Sequence, residues 1–254
     1  MSGHAQIDYG RLLEVLGVEG ELLATSAHGA RPELPVPGCP GLVLGEVVRH
    51  TGSVYRMVCS WIGDGRRPDT WQRTPDGGQD AIEYHRSGLR ELRAELTAHE
   101  PDEPCATWWP ADTSYGFWRR RMAHETTVHR VDVQAAAGRT VDSISEDVAV
   151  DGIDEVLILW FGYRLAVLGV AGTWRGTVGV TAGERSWLIK AGPEGMNARR
   201  ATSTELADVE ALVSGPPAQV YLWLWGRLPP RVVQWNGDGD GIAQVWALLR
   251  LATR

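Results

Sequence analysis

Two residues four apart, Glu125 and His129, constrain this chain more than anything else in it. They lie in Arg121-Met-Ala-His-Glu125-Thr-Thr-Val-His129-Arg-Val-Asp132. On a helix a spacing of four stacks a carboxylate and an imidazole on one face. Such a pair can occupy two positions on a divalent metal, since both groups suit zinc and its neighbours. The segment is not the zincin motif H-E-x-x-H, because its two histidines, His124 and His129, are five apart. Five steps of about 100° leave them roughly 140° apart around the axis. His124 therefore faces away, Glu125 is a ligand and not a general base, and a third ligand must come from another element.

His50 is the candidate for that ligand. In Gly41-Leu-Val-Leu-Gly-Glu-Val-Val-Arg-His50-Thr-Gly-Ser-Val-Tyr55-Arg-Met, the residues Val43, Val47, His50, Val54 and Met57 recur at four, three, four and three. His50 thus sits within an apolar helical stripe that faces a core. A lone histidine there is usually a hydrogen-bonded core residue. A second helix offering Glu125 and His129 changes the reading, because helical bundles assemble metal sites from facing helices.

The apolar period predicts four helices in the first half, over about 7–28, 42–63, 79–99 and 115–137, which read as a four-helix bundle. The intervening loops are marked by Arg31 to Pro40, by Pro68, Pro75 and Gly77-Gly78, and by Pro101 to Ser114. After Gly138 the texture changes. Asp147 to Val170 reads as a further helix, and Trp174–Thr181, Ser186–Lys190, Ala207–Val213 and Val232–Asn236 read as strands rich in Val, Thr and Trp. Helices are expected over Pro216–Leu228 and Ile242–Thr253. The turn Gly237-Asp-Gly-Asp-Gly241 between them lacks the spacing and terminal Glu of a calcium loop. The fold class is α+β, with a bundle over 1–142 and a small second domain over 147–254.

Composition narrows the function. The net charge of −7 comes with no basic cluster, so a nucleic-acid footprint is not expected. No apolar run is long enough to span a membrane, and no signal sequence opens the chain, so a cytoplasmic protein is expected. Cys39, Cys59 and Cys105 lack metal or disulfide spacing. Cys39, between Gly38 and Pro40, reads as an ordinary loop cysteine. No heptad seam is present, and a monomer is expected.

Three stretches carry a family resemblance: Val36-Pro-Gly-Cys-Pro-Gly-Leu-Val-Leu-Gly-Glu-Val-Val-Arg-His50, Phe117-Trp-Arg-Arg-Arg-Met-Ala-His-Glu-Thr-Thr-Val-His-Arg-Val-Asp132 and Leu222-Trp-Leu-Trp-Gly-Arg-Leu-Pro229. In order and separation they resemble the mycothiol-dependent maleylpyruvate isomerase-like proteins, a branch of the DinB-like metal-binding bundles. The resemblance implies a DinB-like four-helix bundle, a small sterol-carrier-like α/β domain, and a divalent metal, usually Zn2+, on His50, Glu125 and His129. It also implies mycothiol as thiol co-substrate and a small electrophile as substrate. The single lysine, Lys190, suggests GC-rich coding and fits an actinobacterial source.

Three protein ligands leave a metal position open, as catalytic sites do. A thiol bound there is deprotonated and becomes a nucleophile. An isomerase would add that thiolate to an activated double bond, allow rotation and expel it; an S-transferase would leave it attached. Asp132 is a candidate catalytic residue, orienting an imidazole or the thiol. A salt bridge to Arg121 or Arg130 is the alternative. Arg121 and His85 are candidates for holding co-substrate or substrate. Arg227, by its match to the family, is a candidate for both roles. Two rival readings stand beside this one: a metal-dependent hydrolase that uses bound water, and a non-catalytic ligand-binding protein.

Overall fold

In a computed structural model the described residues are 5–73 and 79–253. The loop positions Pro75 and Gly77-Gly78 and the first residues of the chain lie outside them. The chain divides into two compact units, one of Ile7–Asp142 and the other of Ser143 onward together with the amino-terminal residues through Gln6.

The first unit holds α1 (Tyr9–Ala27), α2 (Leu44–Asp64), α3 (Ala81–Thr97) and α4 (Tyr115–Ala136). Their starts are written in the sequence. Asp8 accepts from the backbone N–H of Gly10 and Arg11, Asp80 from Glu83 and Ser114 from Phe117, each meeting amides that a first turn leaves unbonded. Gly65 and Gly138 follow α2 and α4 in the left-handed region. Helix α1 packs on α4, α2 on α3, and α1–α3 and α2–α4 contacts close the bundle. The α2–α3 crossing depends on two glycines. A Cβ on Gly52 would lie 2.8 Å from the Tyr84 ring, and one on Gly88 would lie 3.0 Å from the Gly52 carbonyl. The core is filled by Leu12, Leu16, Leu23, Tyr55, Leu92, Leu96 and Trp118.

In the second unit α5 (Glu146–Glu155) runs into a π-helical stretch (Val156–Arg164) and a last turn, α6 (Leu165–Val167). The sequence predicts one ordinary helix here; the wider turn is a finding, and within it Gly162 lies close to the backbone of Ala198. Five strands follow, β1 (Gly176–Ala182), β2 (Arg185–Gly192), β3 (Gly195–Ala201), β4 (Ala211–Gly215) and β5 (Gln234–Gly237), in sheet order β3-β2-β1-β4-β5. All neighbours are antiparallel except β1 and β4, which are parallel. Helix α7 (Pro217–Leu224) follows β4, and α8 (Gly239–Ala252) closes the chain.

Several boundaries differ from expectation. Strand β3 is new, β4 starts at Ala211 where Ala207 was expected, and α7 ends at Leu224, short of Leu228. The Gly237–Gly241 turn is partly helix: Asp238 accepts from the N–H groups of Asp240 and Gly241 and caps α8. Strand β3 escapes a hydrophobic reading because Arg200 forms a bidentate pair with Asp154. That carboxylate is wholly buried and also accepts from the Trp187 indole. The α+β class holds, with a helical bundle followed by a mixed sheet and its helices.

Candidate metal centre

Helix α4 is buried at every residue from Tyr115 to Gln134 except two, Glu125 and His129. In a helix otherwise enclosed by its neighbours, the one opening falls on a carboxylate and an imidazole one turn apart. The α2–α4 contact brings His50 to the same place. Helix α2 is tied to α4 by Tyr55, whose hydroxyl shares a 2.8 Å hydrogen bond with that of Thr126. Burial pushes the Tyr55 phenol well above its ordinary value, so this pair stays neutral.

The three side chains converge on one point. Nε2 of His50 lies 3.4 Å from Glu125 Oε1, and Nε2 of His129 lies 3.3 Å from that same oxygen. The two imidazoles meet edge to face, their centroids 5.2 Å apart. One ligand atom from each of His50, Glu125 and His129 lies within 4.8 Å of the others. The second carboxylate oxygen of Glu125 is taken: Arg121 Nη2 donates to Oε2 at 2.6 Å. Burial alone would raise the Glu125 pKa, but the hydrogen bonds of His129 and His50 and the charge of Arg121 hold it well below the carboxylate range.

His129 is held from its other side. Its Nδ1 lies 3.0 Å from Asp132 Oδ2, and Asp132 is almost wholly buried. A carboxylate there requires N–H at Nδ1, which leaves Nε2 to face Glu125 and His50. Burial lowers the His129 pKa, but Asp132, Cys39 and Glu125 together raise it well above the ordinary value. The Cys39 thiol donates to the same Asp132 oxygen at 3.3 Å. Trp71 meets His50 edge-on, with centroids 5.7 Å apart.

The donor set of one carboxylate and two imidazoles fits a divalent ion of the zinc type. The arrangement supplies what such a ligand set needs: two Nε2 atoms aimed at one oxygen, a second carboxylate orienting one ring, and an arginine fixing the ligand carboxylate.

The other expected site residues fall differently. Arg121 is nearly buried and engaged with Glu125, so it holds that carboxylate and does not stand open to a substrate anion. His85 is a core histidine. It is wholly buried, its Nε2 donates to the Gly20 carbonyl, and its Nδ1 meets the Thr51 hydroxyl. Both nitrogens are used, and burial lowers its pKa to about 4. Arg130 turns to Glu19, which removes it as the alternative partner of Asp132. Arg227 lies in the second unit just beyond α7, where its guanidinium donates to the Trp225 carbonyl. His124 is buried and outside the cluster. Trp71 is a site neighbour that sequence reasoning passes over, and Cys39, which reads as an ordinary loop cysteine, stands beside the site as well. For Cys39 the signal was present, since it stands inside the motif that leads into His50.

Two domain families account for the chain. The mycothiol maleylpyruvate isomerase N-terminal domain matches residues 16–134, and the C-terminal domain of the same enzyme matches residues 147–243. The protein belongs to the mycothiol maleylpyruvate isomerase family. No curated protein gives a significant match. Among solved structures, a histidine-to-alanine mutant of the mycothiol-dependent maleylpyruvate isomerase superposes with a TM-score of 0.60 at 12% identity. Another structure of that enzyme gives 0.55 at 15% identity. Each comparison covers 91% of this chain and 95% of the other. At such identity the likeness is one of fold. Among the described residues no helix is long and apolar enough to cross a membrane.

Proposed function

We propose that this family member is a cytoplasmic, divalent-metal- and mycothiol-dependent enzyme acting on a small electrophile, as a cis–trans isomerase or an S-transferase. Its metal ligands are His50, Glu125 and His129, and Zn2+ is the ion that best suits them. One observation carries the reading: between Tyr115 and Gln134 the buried helix α4 opens only at Glu125 and His129, with His50 aimed at the same carboxylate oxygen. The family and the solved mycothiol-dependent relatives support the choice of thiol.

A divalent cation held by His50, Glu125 and His129 would supply the positive charge that keeps a bound thiol as thiolate near neutral pH. The chain's own residues do the rest. Arg121 occupies Glu125 Oε2, leaving Oε1 for the ion. Asp132 holds the Nδ1 proton of His129, so that Nε2 is the nitrogen left to a metal ion, which would take the place of its proton. Three protein ligands leave coordination room for a thiol or an electrophile. Arg227 remains the candidate for an anionic group of mycothiol or substrate; His85 and Arg121 do not. The protein acts as a monomer.

The test is the metal content of wild type and His129→Ala, with calorimetric titration of mycothiol into each. The expected result is about one metal ion per chain, lost in the variant, and mycothiol binding confined to the metal form. Metal without thiol affinity, together with hydrolytic turnover, would favour bound water as nucleophile. Wild-type protein without metal would overturn the proposal.

A further inference from the structure

Cys39 sits in a loop with little freedom. Its N–H donates to the Val36 carbonyl at 3.1 Å, and its own carbonyl accepts from Leu42 at 3.0 Å. Val36 in turn donates to Leu42, and Pro35 and Val43 pair as an antiparallel bridge. Pro37 and Pro40 stiffen both sides. The side chain packs on the cluster containing Val36, Leu44 and Val133. The loop leads directly into α2, which carries His50, and it delivers the thiol to a carboxylate on α4, 93 residues further along the chain.

That carboxylate is shared. Asp132 Oδ2 receives the Cys39 thiol at 3.3 Å and the His129 Nδ1–H at 3.0 Å. Among the described residues the ligand atoms of Cys39, His129 and Asp132 lie within 4.8 Å of one another, and neither Cys59 nor Cys105 joins such a group. A carboxylate that orients a ligand imidazole must itself be held, or the imidazole rotates with it.

We infer that Cys39 is a positioning residue of the metal centre: its thiol holds the Asp132 carboxylate, and through it aims His129 Nε2 at the place shared with His50 and Glu125. The assignment rests on the metal reading above and adds to it a residue that reaches the ion only through two others. It also makes the site sensitive to any reagent that alkylates this thiol.

Cobalt(II) accepts the same donor set as zinc and reports its ligands by visible absorption. Cys39→Val, which removes the donor at similar volume, should weaken cobalt binding about two- to tenfold, less than the roughly 10- to 100-fold loss from removing the Asp132 carboxylate itself. Cys39→Ser keeps a donor and should restore most of the affinity. In an Asp132→Asn background Cys39→Val should cost nothing further, because the path from Cys39 to His129 is already cut. A second readout needs no metal. The hydrogen-bonded Nδ1 proton of His129 should stand downfield in the proton spectrum of wild type, move or exchange away in the Val variant and return in the Ser variant. Unchanged cobalt affinity with an unchanged His129 resonance in Cys39→Val would overturn the inference. Equal losses in both backgrounds would overturn it too. Wild type that takes up no cobalt would count against the metal reading alone, and the His129 resonance would then decide the role of Cys39.

Discussion

Two polar clusters hang from α4, and they are built on different terms. In one, Arg130 gives Nε and Nη2 to the Glu19 carboxylate at 2.5 and 3.2 Å, and Nη1 to Gln134 and to the Asp142 carbonyl. Gln134 passes the chain on to Ser26 and Asp142. Arg130 is wholly buried, and its Nε, Nη1 and Nη2 each meet an acceptor. In the other, two imidazole nitrogens converge on one carboxylate oxygen at 3.3 and 3.4 Å, longer than the Arg130–Glu19 contacts, at the only opening of α4 between Tyr115 and Gln134. The first cluster is closed and ties α1, α4 and the chain that leaves α4. The second brings one ligand atom from each of three side chains, His50, Glu125 and His129, within 4.8 Å of the others. A buried ion pair is by itself weak evidence of function, and the contrast in closure tells a structural pair from a site.

The largest expected effect comes from breaking the closed cluster. Arg130→Met strands the Glu19 carboxylate in the core, and removing one partner of a buried pair costs about 3–5 kcal/mol. Urea unfolding followed by hydrogen exchange in α1 and α4 should read that loss. Cobalt affinity of the folded fraction should stay within about twofold of wild type, since Arg130 touches none of the three ligands. A collapse of metal binding in this variant would mean that the two clusters are one.

A comparison of two histidines sharpens the point. His129 offers one nitrogen to the opening, whereas His85 spends both inside the core. Burial holds the His85 pKa at about 4, with Arg86 and Arg56 pushing the same way and the Gly20 carbonyl and Glu21 opposing. In the unfolded chain the group titrates near 6.5. Between those values the unfolded state binds the extra proton, so stability is full above about pH 6.5 and falls as pH drops towards about 4, by up to about 3 kcal/mol. Substituting His85 by Gln should flatten that part of the stability profile in chemical denaturation. A profile of unchanged slope in the variant would remove His85 as the acid-sensitive group of the core.

The sequence carried what is local and periodic. Glu125 and His129 are legible because their geometry is one turn of helix, and His50 because it interrupts an apolar stripe. Arg121 stands four residues before Glu125, a spacing that favours the ion pair that forms over a contact with Asp132 or a substrate. What stayed hidden depends on distant partners. Cys39 meets Asp132 through a loop closure that no spacing encodes. Strand β3 carries arginines where a strand core wants apolar groups, and only the buried Asp154 explains Arg200. The π-helical stretch has the composition of any buried helix and shows itself only against the sheet.

The smallest effect tests how far the closed cluster acts as a unit. Ser26 is nearly buried and accepts one hydrogen bond from Gln134 Nε2 at 3.2 Å, while the same nitrogen donates to Asp142 at 2.7 Å. Ser26→Ala removes the longer bond and leaves one amide proton of Gln134 without a partner, a loss of about 1 kcal/mol. Metal affinity should not move. Combined with Arg130→Met, the Ser26 loss should shrink, because Gln134 is then released from Arg130 and can turn to repair its own bonding. A loss that adds in full would mean that Gln134 is held by Asp142 alone, and that the network is a set of independent bonds hung on one helix.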